Sequence, residues 1–233
     1  MKDHLPHLED GIGLWAQRLT CAAFPGSPAL FLDRDGVVVE EVHFLSRTED
    51  ISLIDGIAGA IAAVNRAGIP VIVVSNQSGI ARGYFDWPCF ANVQAAATAQ
   101  LAAGGARIDA VLACGYHHEG SGALGVADHA WRKPNAGMLH RAQELFGISL
   151  ARSFIVGDRV SDLEAGAAAG LAAGALVMSG YGKSERGKLA GAGARWRAVG
   201  FAAAVFDTAP AAIAHFLEGL GQKRTASARP AGA

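Results

Sequence analysis

The chain has 233 residues, enough for one domain with a sizeable core. With 51% hydrophobic residues and a net charge of −1, it has neither a disordered chain's composition nor the basic surplus of a nucleic-acid-binding protein. Its most apolar stretch, residues 165–178, is too short and too rich in Ala and Gly to span a bilayer. Three scattered cysteines, Cys21, Cys89 and Cys114, form no disulfide framework. No basic region followed by an apolar segment opens the chain, so a soluble cytoplasmic protein without membrane or nucleic-acid partners is expected.

Residues 1–28 read as an N-terminal extension, with Leu8, Ile12, Leu14 and Trp15 on a short amphipathic helix that Gly11 and Gly13 weaken. Residues 29–32 form an apolar run after the breakers Gly26-Ser27-Pro28 and are read as a strand. Asp33 and Asp35 follow it. Residues 37–52 are expected to form a loop or flap, 56–66 a helix, and 71–74 a strand buried on both faces, ending at Ser75-Asn76-Gln77-Ser78-Gly79. A helix over 90–103 and a strand over 110–113 precede a long loop, 114–131, with His117, His118 and His129. Beyond it a helix is predicted over 137–146, a strand over 154–156, a helix over 163–169, a strand over 175–178 and a last helix over 211–217. Residues 221–233 are expected to be a disordered tail.

Strands alternating with helices predict an α/β fold, a doubly wound and mainly parallel sheet flanked by helices, within a domain spanning about 29–220. Ligands of such sheets sit beyond the carboxyl ends of the strands. Asp33 and Asp35, Ser75 and Asn76, and Asp158 and Asp162 all follow predicted strands, while Lys133 closes the long loop after another. Singly, each group has an ordinary reading: an Asp-Gly turn, a polar turn, a solvated lysine, a helix N-cap. Together they meet the needs of phosphoryl transfer through an aspartyl intermediate. Asp33 is read as the nucleophile and Asp35 as general acid and base. Mg²⁺ is expected on Asp33, Asp158 and the main-chain carbonyl of Asp35, with Ser75, the Asn76 amide and Lys133 on the phosphoryl oxygens.

Four segments carry a family resemblance: Asp-Arg-Asp-Gly-Val (33–37), Ser-Asn-Gln-Ser-Gly-Ile-Ala-Arg-Gly (75–83), Arg-Lys-Pro (132–134) and Gly-Asp-Arg-Val-Ser-Asp (157–162). They resemble the motifs of the haloacid dehalogenase (HAD) superfamily, and more narrowly those of its heptose bisphosphate and histidinol-phosphate phosphatases. The resemblance covers about residues 29–182. It implies the roles above, with Asp162 supporting the metal site. It also implies substrate contacts from Glu41, Val42, His43 and Phe44, from Gln77, Ser78 and Arg82, and from Arg132. Ser75 stands where the family usually has threonine, and Phe44 where its flap commonly carries tyrosine. The substrate expected is a small phosphate ester such as a sugar bisphosphate. Histidinol phosphate is an alternative substrate, and a catalytically silent binding module on the same fold is an alternative of another class.

The short intervals between motifs leave no room for a large cap domain. Relatives of the heptose type often carry a structural zinc before Arg-Lys-Pro, on positions that fall here on Cys114, Tyr116, His129 and Trp131. Only Cys114 is kept in kind, and a substitute set using His117 or His118 has irregular spacing, so structural zinc is not expected and Trp131 is expected to pack the loop.

Overall fold

Alternate residues of the apolar runs enter different cores. Val71 and Val73 join one cluster and Ile72 and Val74 the other, and Leu30 and Leu32 part from Phe31 in the same way. A sheet apolar on both faces needs helices on both sides. The computed structural model, which describes residues 6–227, has that architecture.

Among the described residues, seven strands form one sheet in the order β1-β4-β3-β2-β5-β6-β7. They are β1 (Leu14–Arg18), β2 (Leu30–Leu32), β3 (Val71–Asn76), β4 (Ala110–Cys114), β5 (Phe154–Gly157), β6 (Ala173–Val177) and β7 (Ala202–Phe206). β1 is antiparallel to β4, and every other neighbouring pair is parallel. The helices are α1 (Ile57–Arg66), α2 (Ser78–Ala81), α3 (Trp87–Ala103), α4 (Gly137–Phe146), α5 (Val160–Ala168), α6 (Gly182–Glu185), α7 (Leu189–Ala198) and α8 (Ala209–Ser227). α1, α3 and α8 bury Ile61, Phe90 and Ile213 in one core, while α4, α5 and α7 bury Leu139, Leu163 and Trp196 in the other. From β2 the chain steps outward to β3 and β4, then returns to place β5 on the other side of β2. That reversal opens a crevice at the carboxyl ends of the central strands.

No separate cap covers the crevice. Between β2 and α1 the described chain forms only a 3-10 turn at Thr48–Asp50, and the interval to Lys133 is spent on α2, α3, β4 and a 3-10 turn at Gly122–Leu124. No helix among the described residues is long and apolar enough to cross a membrane.

The structure corrects several expectations. The N-terminal segment is not a helix: Asp10 Oδ1 accepts from the amides of Ile12, Gly13 and Leu14, turning the chain into β1. Leu14 and Trp15 then face opposite cores, a period of two rather than 3.6, and Trp15 stacks on Trp87 at 5.6 Å. The last helix runs on through Ser227, so residues 221–227 are helical where a tail was expected, and residues 228–233 lie outside the described part. α7 and β7 have no counterpart in the sequence reading. β7 reads Ala-Ala-Ala-Val-Phe, a composition favouring helix, and is a strand because β6 supplies its parallel partner. α3 begins earlier than expected because Asp86 accepts from the Cys89 amide and Pro88 sits in the first turn.

Candidate active site

The loop after β2 turns sharply at Gly36, whose φ is +78°. A Cβ there would meet Asp158 Oδ2 at 2.4 Å, and one on Gly180 would meet the same atom at 2.1 Å. Glycine at both places lets the β2 and β6 loops close around the carboxylate that follows β5.

Asp33, Asp158 and Asp162 are buried and converge, each offering an oxygen within 4.8 Å of the others. The nearby cation is Lys133, also buried. Its Nζ lies 2.9 Å from Asp33 Oδ1 and 2.6 Å from Asp162 Oδ1, and donates to the Val74 carbonyl at 2.8 Å. The ammonium is thus set between two carboxylates and one carbonyl. Burial raises the pKa of Asp33 well above the usual carboxylate value, opposed by Lys133 and reinforced by Asp162 and Asp35. Burial likewise raises Asp158, with Asp33 and Asp162 adding to it. Burial works against the Lys133 ammonium, yet Asp162 and Asp33 hold its pKa above the ordinary value.

Two buried carboxylate oxygens here accept no hydrogen bond, Asp162 Oδ1, which faces the Lys133 ammonium, and Asp158 Oδ1, which faces no cation. Asp158 Oδ2 accepts from the Tyr181 amide at 2.8 Å, whereas Asp158 Oδ1 is buried without a partner. A buried orphan oxygen beside two further carboxylates, with no nitrogen or sulfur donor in the group, suits a hard divalent cation. Asp162 is committed elsewhere: Oδ1 faces Lys133, and Oδ2 accepts from the Arg159 amide at the start of α5. The Asp35 carboxylate stands apart from the group, held by Arg34 and Gln77.

Ser75 and Gln77 are buried, and Ser75 Oγ accepts from Gln77 Nε2 at 2.7 Å. The Asn76 side chain docks the Lys133 loop, donating to the Lys133 carbonyl at 2.9 Å and accepting from its amide at 3.0 Å. A cavity of about 330 Å³ opens over these groups. Glu41, His43, Phe44, Gln77, Ser78, Arg82 and Arg132 line it, and Val42, expected among them, does not. Glu41 accepts from the His43 amide at 2.7 Å, and His43 and Phe44 adopt left-handed backbone angles of +48° and +67°. Arg82 pairs with Glu119 at 2.6 Å, and Arg132 Nη1 donates to the Tyr116 carbonyl at 3.0 Å. Burial lowers the Arg132 pKa, and the guanidiniums of Arg82 and Arg159 lower it further, so three cations share the rim.

The sequence reading gave no site role to seven lining residues: Arg34, Leu45, Gly79, His117, Arg159, Ser161 and Tyr181. The guanidinium carbon of Arg159 stands 3.7 Å from the centre of the Tyr181 ring. Tyr181 follows the carboxyl end of β6, so the strand-end rule could have found it. Arg34 and Ser161 lie inside quoted motifs, but only side-chain direction shows that they face the cavity.

Comparison with known proteins matches this arrangement. The HAD-hydrolase-like family profile matches residues 130–199. The D-glycero-beta-D-manno-heptose-1,7-bisphosphate 7-phosphatase of Mesorhizobium japonicum is 48% identical over 177 residues, covering 76% of this chain and 82% of the relative. The chain belongs to the HAD-like phosphatases. The enzyme of the same name from Rhodopseudomonas palustris is 41% identical over 64% of this chain and 83% of its own length. The D,D-heptose 1,7-bisphosphate phosphatase of B. bronchiseptica, solved with magnesium and phosphate, superposes with a TM-score of 0.69 at 28% identity, over 82% of this chain and 99% of that one.

In this HAD-like phosphatase the loop before Arg-Lys-Pro is held by aromatic contacts. Tyr116 stacks on His129 with centroids 4.2 Å apart and planes 10° apart, and its hydroxyl donates to Asp10 Oδ2 at 2.5 Å. Trp131 is partly buried against the nearby core. Among the described residues, Cys114 and His129 join no group of three potential metal ligands. His117, His118 and Glu119 form such a group, but Glu119 is paired with Arg82.

Proposed function

We propose that this phosphatase is magnesium-dependent and hydrolyses a small sugar bisphosphate of the heptose 1,7-bisphosphate kind through an aspartyl phosphate. The observation that carries the reading is the Lys133 ammonium set between Asp33 and Asp162, next to the unpartnered Asp158 Oδ1. Asp33 is the nucleophile. Lys133 orients its Oδ1, leaving the other oxygen to attack phosphorus. Ser75, whose oxygen already accepts from Gln77, has its hydroxyl proton free for a phosphoryl oxygen; Lys133 and the Asn76 amide complete the cradle. Asp35 protonates the leaving oxygen and then takes the proton of the attacking water. Asp33, Asp158 and the main-chain carbonyl of Asp35 would hold Mg²⁺, with Asp162 supporting them. The ion would neutralise charge between nucleophile and phosphate.

Arg82, Arg132 and Arg159 favour a second anionic group on the substrate, and they argue against histidinol phosphate, whose amine is cationic. Glu41, His43, Phe44 and Ser78 would contact the sugar from the flap and from α2. Phosphate release from a panel of phosphorylated metabolites tests the reading. A sugar bisphosphate should be the best substrate with Mg²⁺ present, and preference for histidinol phosphate would overturn the assignment.

A further inference from the structure

Arg34, between the two motif aspartates, is one of the largest fully buried side chains of the protein, and no step above uses it. Its guanidinium rests over the Phe90 ring at 5.3 Å. Nε donates to Asp35 Oδ1 at 3.1 Å, and Nη2 donates to Asp35 Oδ2 at 3.0 Å, a two-point grip on one carboxylate. Gln77 closes the arrangement. Its Oε1 accepts from Arg34 Nη2 at 3.3 Å, while its Nε2 donates both to Asp35 Oδ2 at 3.1 Å and to Ser75 Oγ at 2.7 Å. Arg34 Nη1, by contrast, is buried with no partner. A cation buried with one nitrogen unsatisfied is a poor way to stabilise a fold, so a different reason for its presence is needed.

The Asp35 side chain supplies that reason. It keeps 23% of its surface exposed at the cavity, where water competes for its oxygens, and besides Arg34 only the single Gln77 donor reaches its side chain. A planar fork sets the plane and distance of a carboxylate, which a single donor does not. Gln77 refers that geometry to Ser75, which holds the phosphoryl group in the reading above. We propose that Arg34 is the positioning residue for Asp35, and that its grip matters most in the hydrolytic half-reaction.

This inference rests on the aspartyl-phosphate reading. In the first half-reaction Asp33 oxygen bonds to phosphorus as the ester P–O bond breaks, and Asp35 gives its proton to the departing oxygen. In the second, water oxygen bonds to phosphorus and the P–O bond to Asp33 breaks with its electron pair returning to Asp33. The water proton passes to Asp35, which is then ready to protonate the next leaving oxygen. The attacking water is small and mobile, so that step depends on a fixed base.

The experiment uses p-nitrophenyl phosphate, whose nitrophenolate leaves without needing a proton, with Mg²⁺ supplied. Arg34→Met keeps a stem over Phe90 and removes the fork. Rapid mixing should show a burst of about one nitrophenolate per active site, followed by turnover about 10²- to 10³-fold slower than wild type, the usual loss for a displaced general base. Competitive inhibition by inorganic phosphate should be unchanged, because Ser75 and Lys133 remain. Arg34→Lys restores one donor and should fall between wild type and Arg34→Met. Wild-type turnover in Arg34→Met, or a burst lost together with weakened phosphate inhibition, would overturn the proposal and make Arg34 a fold or phosphate residue. If Arg34→Met does not unfold cooperatively, Arg34→Lys decides: slowed turnover with a burst supports the grip, and wild-type turnover overturns it. Should wild-type protein release no nitrophenolate, the aspartyl-phosphate reading itself fails, an outcome separate from failure in the variants alone.

Discussion

Two loops leave the same end of the sheet and are built by opposite means. Residues 33–36 after β2 bury charge: Asp33 meets Lys133, Asp35 meets Arg34 and Gln77, and Gly36 lies against Asp158. Residues 115–131 after β4 are largely exposed and are tied by the Tyr116–His129 stack, a hydrogen bond to Asp10, 106 positions away in sequence, the Arg82–Glu119 pair and dispersed hydrogen bonds such as that from Arg132 to the Tyr116 carbonyl. In the first loop a small displacement uncovers an unpaired buried charge, so the geometry is held tightly. In the second the charged contacts lie toward solvent, and a displacement leaves water to replace them. Chemistry thus sits on the stiff loop, and the softer one brings His117 and Arg132 to the rim.

The contrast is broken most severely at the nucleophile. Asp33→Asn keeps the shape and should lower kcat by at least about 10³-fold while far-UV circular dichroism stays that of wild type. Near-wild-type kcat would remove Asp33 from its role.

Next in size is Lys133→Met, which leaves Asp33 and Asp162 facing each other in a buried site. In metal-free protein at neutral pH it should cost about 3–5 kcal/mol, read from denaturant unfolding. A cost near zero would mean that the ammonium does not compensate these carboxylates.

The third expectation concerns pH. Asp33 and Asp158 have pKa values raised in the fold, so they bind protons more tightly folded than unfolded. Their contribution is therefore fully present below the ordinary carboxylate pKa of about 4, and is lost as pH rises through the raised values. Chelator-treated protein should lose stability between about pH 5 and pH 8, and Mg²⁺ should restore most at the upper end, where both groups are ionised. Thermal unfolding with and without Mg²⁺ measures this; a magnesium effect that shrinks as pH rises would contradict it.

The smallest effect belongs to the softer loop. Tyr116→Phe removes the hydrogen bond to Asp10 and should cost about 1.5–3 kcal/mol, the usual range for a bond to a charged group. Turnover of p-nitrophenyl phosphate should be unchanged, with KM for a sugar bisphosphate raised. A fall in kcat on both substrates would show that the two loops are coupled.

The parallel α/β plan and the placing of Asp33, Ser75, Lys133 and Asp158 at one end of it were legible in sequence, because β-branched runs buried on both faces and polar strand ends are local signals. Tertiary structure decided the rest. β1 replaced a predicted helix because Leu14 and Trp15 found two different cores, a choice that depends on β4, which pairs with it residue by residue from Cys114 to Ala110. β7 formed from an alanine run because β6 offered a partner, and alanine by itself favours a helix. Arg34 sits in a motif that sequence reads at once. Its direction, inward onto Asp35 over Phe90, depends on α3, whose Phe90 lies 56 positions further along the chain. Local patterns specify which elements form and where polar groups fall. Contacts made only when distant elements pack specify which of those groups touch.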